Sequence, residues 1–340
     1  MSLKYLLKEA KYYKKVDGSL KRIFLKCLFA KTPLKKTVNS RLYSLIYSKM
    51  IGKKSSIIGP SILSIENTNI CNAKCIMCPH SIMKRKQKVM KQKDFEKIVN
   101  KVMKEEKIKF VTITGFGEPL IDRGIGKKIE FVNKKYPDAK IIIFTNASLL
   151  TKELSEKLLK LKVFKINFSI NSIKSEYKKI MGLDYDKTIS NIDYFIKKKK
   201  DLKKDYPLVN VSLMVLNDNK RNIDEFLKQW QDKADSVMTY LPSDWAGALD
   251  HAIIKTQFKD KRWPCMALWK NITVDVEGRV IVCCRDYESI SSLGNLLKED
   301  YNKIKSRIKA LQERHLKGDY DYSVCAKCDN SFDSSLDWWE

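Results

Sequence analysis

The chain lacks any apolar run of transmembrane length, so no spanning helix of about 20 residues is expected. It also lacks a signal peptide with an apolar core and a cleavage site, which predicts a cytoplasmic protein. Arginine is scarce, at ten of the 67 basic residues. No compact arginine-rich stripe interleaved with aromatics occurs, so no specific nucleic-acid surface is expected. Lysine nevertheless carries the formal charge to +27, a field that favours anionic partners. The run Lys197–Lys200 reads as a solvated helix end. The nine cysteines do not form a disulfide framework, because seven of them fall into spaced groups that suit metal. With 340 residues, 44% of them hydrophobic, one large domain plus a smaller one is affordable in core material.

Residues 1–60 form a basic, apolar leader. Leu20, Ile23, Phe24, Cys27 and Leu28 recur at helical spacing, and Leu42, Leu45 and Ile46 share a face in a second segment. Two placements stay open: helices packed on the main domain, or peripheral contact with an anionic membrane surface.

From 61 to 240, apolar strands alternate with amphipathic segments. Strands are predicted near 61–66, 108–114, 139–145, 164–170, 208–215 and 235–240. Helices are predicted over 92–105, 123–136, 151–160, 187–199 and 222–232. That alternation predicts an α/β fold with a parallel sheet. A doubly wound sheet would share the pattern. A cysteine loop directly after the first strand favours a partial (βα)6 TIM-like barrel, where all strand C-termini face one site. Residues 241–264 read as a linker containing Ser243-Asp244-Trp245-Ala246-Gly247. Residues 265–340 read as a small C-terminal α+β domain, with strands at 272–276 and 279–282 around a tight turn and a helix near 296–315.

Cys71, Cys75 and Cys78 lie in CNAKCIMC. Three thiolates cannot fill four tetrahedral positions, but they can hold three irons of a cubane and leave the fourth open. The competing zinc reading needs a fourth ligand, for which His80 is at hand. The spacing C-x3-C-x2-C resembles the radical S-adenosylmethionine (SAM) superfamily, and the resemblance extends to about residue 330. It implies a 4Fe-4S cluster that binds SAM at its unique iron, gives it one electron, and releases a 5′-deoxyadenosyl radical that abstracts hydrogen. Thr114-Gly115-Phe116-Gly117-Glu118-Pro119 resembles the family's Gly-Gly-Glu-Pro motif for the SAM amino group, with Phe116 at the first glycine position. Thr145 and Asn146 match a Thr-Asn-Gly in which Ala147 replaces glycine. Ser169 and Asn171 fit the positions that meet the methionine carboxylate or ribose, and Val215 to Asn217 would flank adenine. Ile76 and Met77 are expected to shield the cluster or adenine from water.

Cys265, Cys283, Cys325 and Cys328 form a second set, separated by 18, 42 and 3 residues. Four thiolates suit either a fully ligated 4Fe-4S cluster or tetrahedral zinc. Gly278-x4-Cys283 with Cys325-x2-Cys328 resembles the truncated SPASM, or twitch, extension of radical SAM enzymes, which implies one auxiliary 4Fe-4S cluster. The neighbouring Cys284 competes with Cys283 as ligand. Full cysteine ligation leaves electron transfer as the cluster's role and favours net oxidation. The resemblance therefore implies an anaerobic oxidoreductase acting on a sugar, cyclitol or glycan precursor, served by a flavodoxin- or ferredoxin-type donor. A maturase acting on a peptide is the alternative. Tyr240, Asp244, Arg285 and Asp286 are the candidate proton-handling residues, from their positions after strand six and beside the second cysteine group.

Overall fold

The computed structural model describes residues 59–249 and 264–328. The leader helices, most of the expected linker piece and the Trp-rich tail lie outside the described residues. Among the described residues, no helix is long and apolar enough to cross a membrane.

Six strands run parallel in the order of the chain: β1 (Ile62–Ile65), β2 (Phe110–Ile113), β3 (Lys140–Thr145), β4 (Val163–Ser169), β5 (Leu208–Met214) and β6 (Ser236–Tyr240). Between them lie α1 (Gln92–Glu105), α2 (Ile125–Lys135), α3 (Lys152–Lys160), α4 (Lys174–Met181), α5 (Tyr185–Asp201) and α6 (Ile223–Trp230). The partial barrel expected from the sequence is thus present. Helix α1 shows why the pattern was readable, since Phe95, Ile98, Val99 and Val102 repeat every three or four residues and all are buried. Thr151 caps α3 by accepting from Leu154 N, and Asp184 caps α5 by accepting from Lys187 N.

Helix α4 departs from expectation, because two helices rather than one connect β4 to β5. Gly182, at φ +67°, ends α4 and divides it from α5. A side chain there would stand 3.0 Å from Lys74 Cβ, inside the cysteine loop, so the break also makes room for that loop.

The two faces of the sheet differ in chemistry. Leu63, Ile65, Val111, Ile113, Ile143, Phe168, Val211 and Leu213 are buried in the main hydrophobic cluster together with the helices. Burial of each such side chain is worth about 1.5–3 kcal/mol. Alternate residues form the other face. Near the strand starts it is apolar, with Ile142, Phe164 and Leu208 clustered beside Phe110 and Phe144. Further along it is hydroxyl and amide: Ser64 accepts from Thr112 Oγ1 at 2.7 Å, and Asn167 Nδ2 donates to Ser212 Oγ at 3.0 Å. Ser64 and Thr112 are paired in register, whereas Asn167 is in register with Asn210 and reaches Ser212 two residues further along β5.

The C-terminal region is continuous with the barrel sheet. β7 (Asn271–Val274) pairs parallel with β1 from Ile62↔Asn271 to Ile65↔Val274. β8 (Arg279–Ile281) and β9 (Ser292–Asn295) extend it antiparallel, giving nine strands in the order β6-β5-β4-β3-β2-β1-β7-β8-β9. The hairpin matches expectation, while β9 was not foreseen. Short α7 (Ala267–Lys270) precedes β7, and α8 (Tyr301–Leu316) follows β9. Glu66 N donates to Val274 O at 2.9 Å, carrying the pairing past the end of β1. This amide is expected to exchange with deuterium only on global unfolding, which native-state hydrogen exchange measures. Exchange through a smaller opening would show the C-terminal strands detaching as a unit.

Candidate active site

The cysteine loop leaves β1 through buried Glu66, Asn67, Thr68 and Asn69. Asn67 Nδ2 donates to Pro119 O and to Asp122 Oδ2, at 3.1 and 3.0 Å. Asp122 also holds buried Lys128 at 2.7 Å. Helix α4 supports the loop from the other side: Lys74 N donates to Met181 O and Ile76 N to Ile180 O, at 2.9 and 3.0 Å. Met181 Sδ lies 3.4 Å from Cys75 Sγ. Met77 is buried as expected, whereas Ile76 is 46% exposed. Its amide is tied to α4 while its side chain reaches solvent, so shielding on this side falls to Met77. His80 Nε2 lies 3.0 Å from Asn69 O, which engages that nitrogen within the loop.

Burial pushes the Cys71 thiol up to about 11 and raises Cys75 and Cys78 as well. Such thiols stay protonated until a cation displaces their protons, as a metal site requires.

The Gly-Phe-Gly-Glu-Pro segment packs directly on this loop. Glu118 N donates to Ile70 O at 2.8 Å, and a Cβ on Gly117 would lie 2.3 Å from Thr68 O. The approach is therefore open to glycine alone. Glu118 is buried, and burial raises its pKa against three opposing hydrogen bonds. Thr145 Oγ1 and Leu120 N donate to Oε1 at 2.6 and 3.0 Å, and Asn146 N donates to Oε2 at 2.7 Å. Thr145 and Asn146 thus orient Glu118. Asn146 Nδ2 also reaches Asn72 Oδ1, between the first two cysteines, at 3.1 Å. Ala147 holds φ +61°, the conformation that a glycine would take without strain.

Asn171 Oδ1 accepts from Met214 N at 2.9 Å, and Nδ2 contacts Met181 Sδ at 3.3 Å, so the residue reaches Cys75 through one sulfur. Ser169 Oγ accepts from Asn167 Nδ2 at 3.3 Å. Val215 N donates to Tyr240 O at 2.7 Å, and Asn217 lies in an exposed turn after β5.

The candidate proton-handling groups stand in different settings. Tyr240 is exposed, with its hydroxyl 3.3 Å from Met238 Sδ. Asp244 Oδ1 accepts from Ala246 N at 2.9 Å and shapes the turn. Buried Asp286 accepts from Ile290 N, Ser291 N and Ser291 Oγ, which commits its carboxylate to the loop after Cys283. Arg285 lines a cavity with the second cysteine set.

That cavity is walled by Cys265, Cys283, Cys325 and Cys328, with Leu268, Val282 and Val324 as apolar lining and His315 at one side. The free space, counted out to bulk solvent, is about 400 Å³. Cys284 is exposed and does not line it. Burial raises the Cys265 thiol to about 11 and lifts the Cys283 thiol well above its ordinary value. Among the described residues no three cysteine, histidine or acidic side chains converge on one ion-sized point. A cubane asks something else, that each thiolate reach its own iron, and four thiols around one largely apolar cavity fit that demand.

The two cysteine sites are joined through residues that motif reading passed over. Glu66 receives both Arg85 Nη1 and Nη2 at 2.8 and 2.9 Å, Phe116 N at 3.0 Å and Val276 N at 3.0 Å. Arg85 Nε donates to Tyr287 O at 2.6 Å. Burial works against the Arg85 charge, but Glu66 and Asp275 outweigh it and hold its pKa up. Phe116, where the motif has glycine, meets Trp245 and Tyr287 edge-on at 5.5 and 6.2 Å. Trp245 Nε1 donates to Met77 O at 2.7 Å, while the next residue, Ala246, lines the second cavity. No spacing rule flags Glu66, Arg85 or His315. Acidic and basic residues recur across a highly charged chain, and His315 stands in no ligand spacing with the cysteines.

Family models match both parts of this arrangement. Residues 65–229 match the model described as the radical SAM superfamily, and residues 265–329 match one described as an iron-sulfur cluster-binding domain. The chain carries a radical SAM superfamily domain followed by an iron-sulfur cluster-binding domain.

Several curated relatives align over only about a third to under a half of their own length. A longer match is the S-adenosyl-L-methionine-dependent 2-deoxy-scyllo-inosamine dehydrogenase of Niallia circulans, 21% identical over 79% of this chain and 93% of that protein. Two solved structures share the fold. BtrN in complex with AdoMet and 2-DOIA has a TM-score of 0.56 at 18% identity, covering 81% of this chain and 95% of BtrN. Streptococcus suis SuiB bound to the precursor peptide SuiA has a TM-score of 0.60 at 18% identity, covering 82% and 72%.

Two substitutions test the geometry of this radical SAM site. Gly117→Ala must displace the Thr68 carbonyl, at a cost of about 1–3 kcal/mol, read from urea denaturation. SAM binding, measured by equilibrium dialysis, should fall with it. Glu66→Gln leaves Arg85 buried without its carboxylate, so a loss of about 3–5 kcal/mol is expected in the same assay.

Proposed function

We propose that this chain is a radical SAM oxidoreductase that removes hydrogen from a carbinol carbon of a sugar, cyclitol or glycan precursor. The observation that carries the reading is the pair of thiol sites on one sheet: an incomplete set of three after β1, and a set of four around one cavity. Cys71, Cys75 and Cys78 would hold the SAM-binding 4Fe-4S cluster. Cys265, Cys283, Cys325 and Cys328 would hold the auxiliary one, with Cys283 favoured over Cys284 by its place in the cavity wall. When bound, SAM and the two clusters supply a carbon radical that takes a substrate hydrogen and an acceptor for the second electron.

The chain's own residues bind and orient. Glu118, fixed by Thr145 and Asn146, presents buried negative charge to an ammonium group. Gly115, Phe116, Gly117 and Pro119 give the backbone of that subsite, and Ser169, Asn171, Val215 and Asn217 extend it over the ends of β4 and β5. Hydroxyl and amide groups on the inner face of β4 and β5 suit a neutral, polyhydroxylated ring. Tyr240, Asp244 and Arg285 are the groups we assign to proton handling near the substrate. Asp286 would act by shaping the loop that carries Arg285. The long alignment with a cyclitol dehydrogenase supports this substrate class. The likeness to SuiB supports a second reading, a maturase acting on a peptide. We place the enzyme in the cytoplasm, fed by a flavodoxin- or ferredoxin-type donor; a membrane-surface role for residues 1–60 rests on their sequence alone.

Anaerobic reconstitution should give about eight irons per chain, two cubanes of four. With substrates deuterated at the carbinol carbon, mass spectrometry should find deuterium in 5′-deoxyadenosine and a ketone product. Transfer from peptide substrates alone would favour the maturase, and zinc at either site with no SAM cleavage would end the radical reading.

A further inference from the structure

His315 belongs to no motif and to none of the ligand sets, yet it is buried to 1% exposure at the end of α8. Its ring lies in the wall of the cavity that the four cysteines share. Nδ1 accepts the backbone N–H of Cys265 at 3.3 Å. A nitrogen that accepts has its lone pair in use, so the ring proton sits on Nε2. The Tyr320 ring stands edge-on to the imidazole at 4.9 Å and 87°, which fixes the ring plane. Among the described residues, and apart from the cysteines, Arg285 and His315 are the polar side chains in a wall otherwise made of alanine, leucine and valine.

In such a wall, one oriented N–H matters more than it would in water. The potential of an all-thiolate cluster follows its net charge, the hydrogen bonds to its sulfurs and its solvent exposure. Reduction adds negative charge, and a fixed neutral donor stabilises that charge without reorganising. We infer that His315 is a positioning residue that raises the reduction potential of the auxiliary cluster, with the Cys265 amide selecting its tautomer. The inference rests on the auxiliary cluster proposed above and assigns it a setting device outside its ligands. An electron acceptor in an oxidation needs such a device, because its potential decides whether it takes the substrate's second electron.

The test isolates one cluster in the full-length chain. Cys71→Ala, Cys75→Ala and Cys78→Ala together remove the first site, and anaerobic reconstitution should leave about four irons per chain. Failure to bind them would refute the auxiliary-cluster reading itself, before His315 is touched. In that background His315→Phe keeps a ring and loses both nitrogens, while His315→Gln keeps an acceptor and an N–H donor. Midpoint potentials come from redox titration followed by electron paramagnetic resonance. The expected result is a more negative midpoint for the phenylalanine variant and a value near that of the parent for the glutamine variant. An unchanged midpoint in His315→Phe overturns the inference, as does an equal fall in both variants. Loss of iron from either variant also overturns it, since His315 would then be holding the cysteines together instead of setting a potential.

Discussion

One buried carboxylate holds the molecule's working parts in register. Glu66 directly follows β1 and takes four hydrogen bonds, two from Arg85 and one each from the amides of Phe116 and Val276. Those donors belong to three different segments: the stretch after the cysteines, the Gly-Phe-Gly-Glu-Pro turn, and the strand region that leads into the second cysteine set. A buried charge is tolerable only when its lone pairs are filled, so the three segments must arrive together. Gly115 belongs to the same arrangement, since a Cβ there would fall 2.4 Å from Glu66 Cγ.

The second tier of order is built from backbone amides and short polar side chains. Glu118 is held by Thr145 and Asn146, Asn146 touches Asn72, and Asn171 reaches Cys75 through Met181. The first link joins the end of β3 to the Gly-Phe-Gly-Glu-Pro turn, and the other two join strand ends to the cysteine loop. That is the use of a parallel barrel: strand ends converge, and side chains far apart in the chain meet within hydrogen-bonding distance.

Strand and helix positions were legible in the sequence because burial on one face imposes a period, and α1 spans the same residues, 92 to 105, that its apolar repeat marks. The cysteine sets were legible because their spacing is dictated by a ligand. Helix α4 escaped notice because its eight residues end at Gly182, too short a stretch for its buried Tyr177, Ile180 and Met181 to show a period. Strand β9 reads Ser-Leu-Gly-Asn and carries no alternation. Glu66 and Arg85 are 19 residues apart, so their pairing comes from tertiary folding and leaves no local trace.

The pairing of β1 with β7 has a mechanical consequence. Cys71 lies six residues past the C-terminal end of β1, and Cys265 lies six residues before the N-terminal end of β7, so the two sets leave opposite ends of one paired ladder. Their spacing is set by a row of peptide hydrogen bonds, not by the length of the chain between β6 and β7. A shift in the register of β7 on β1 would therefore alter the gap an electron would have to cross.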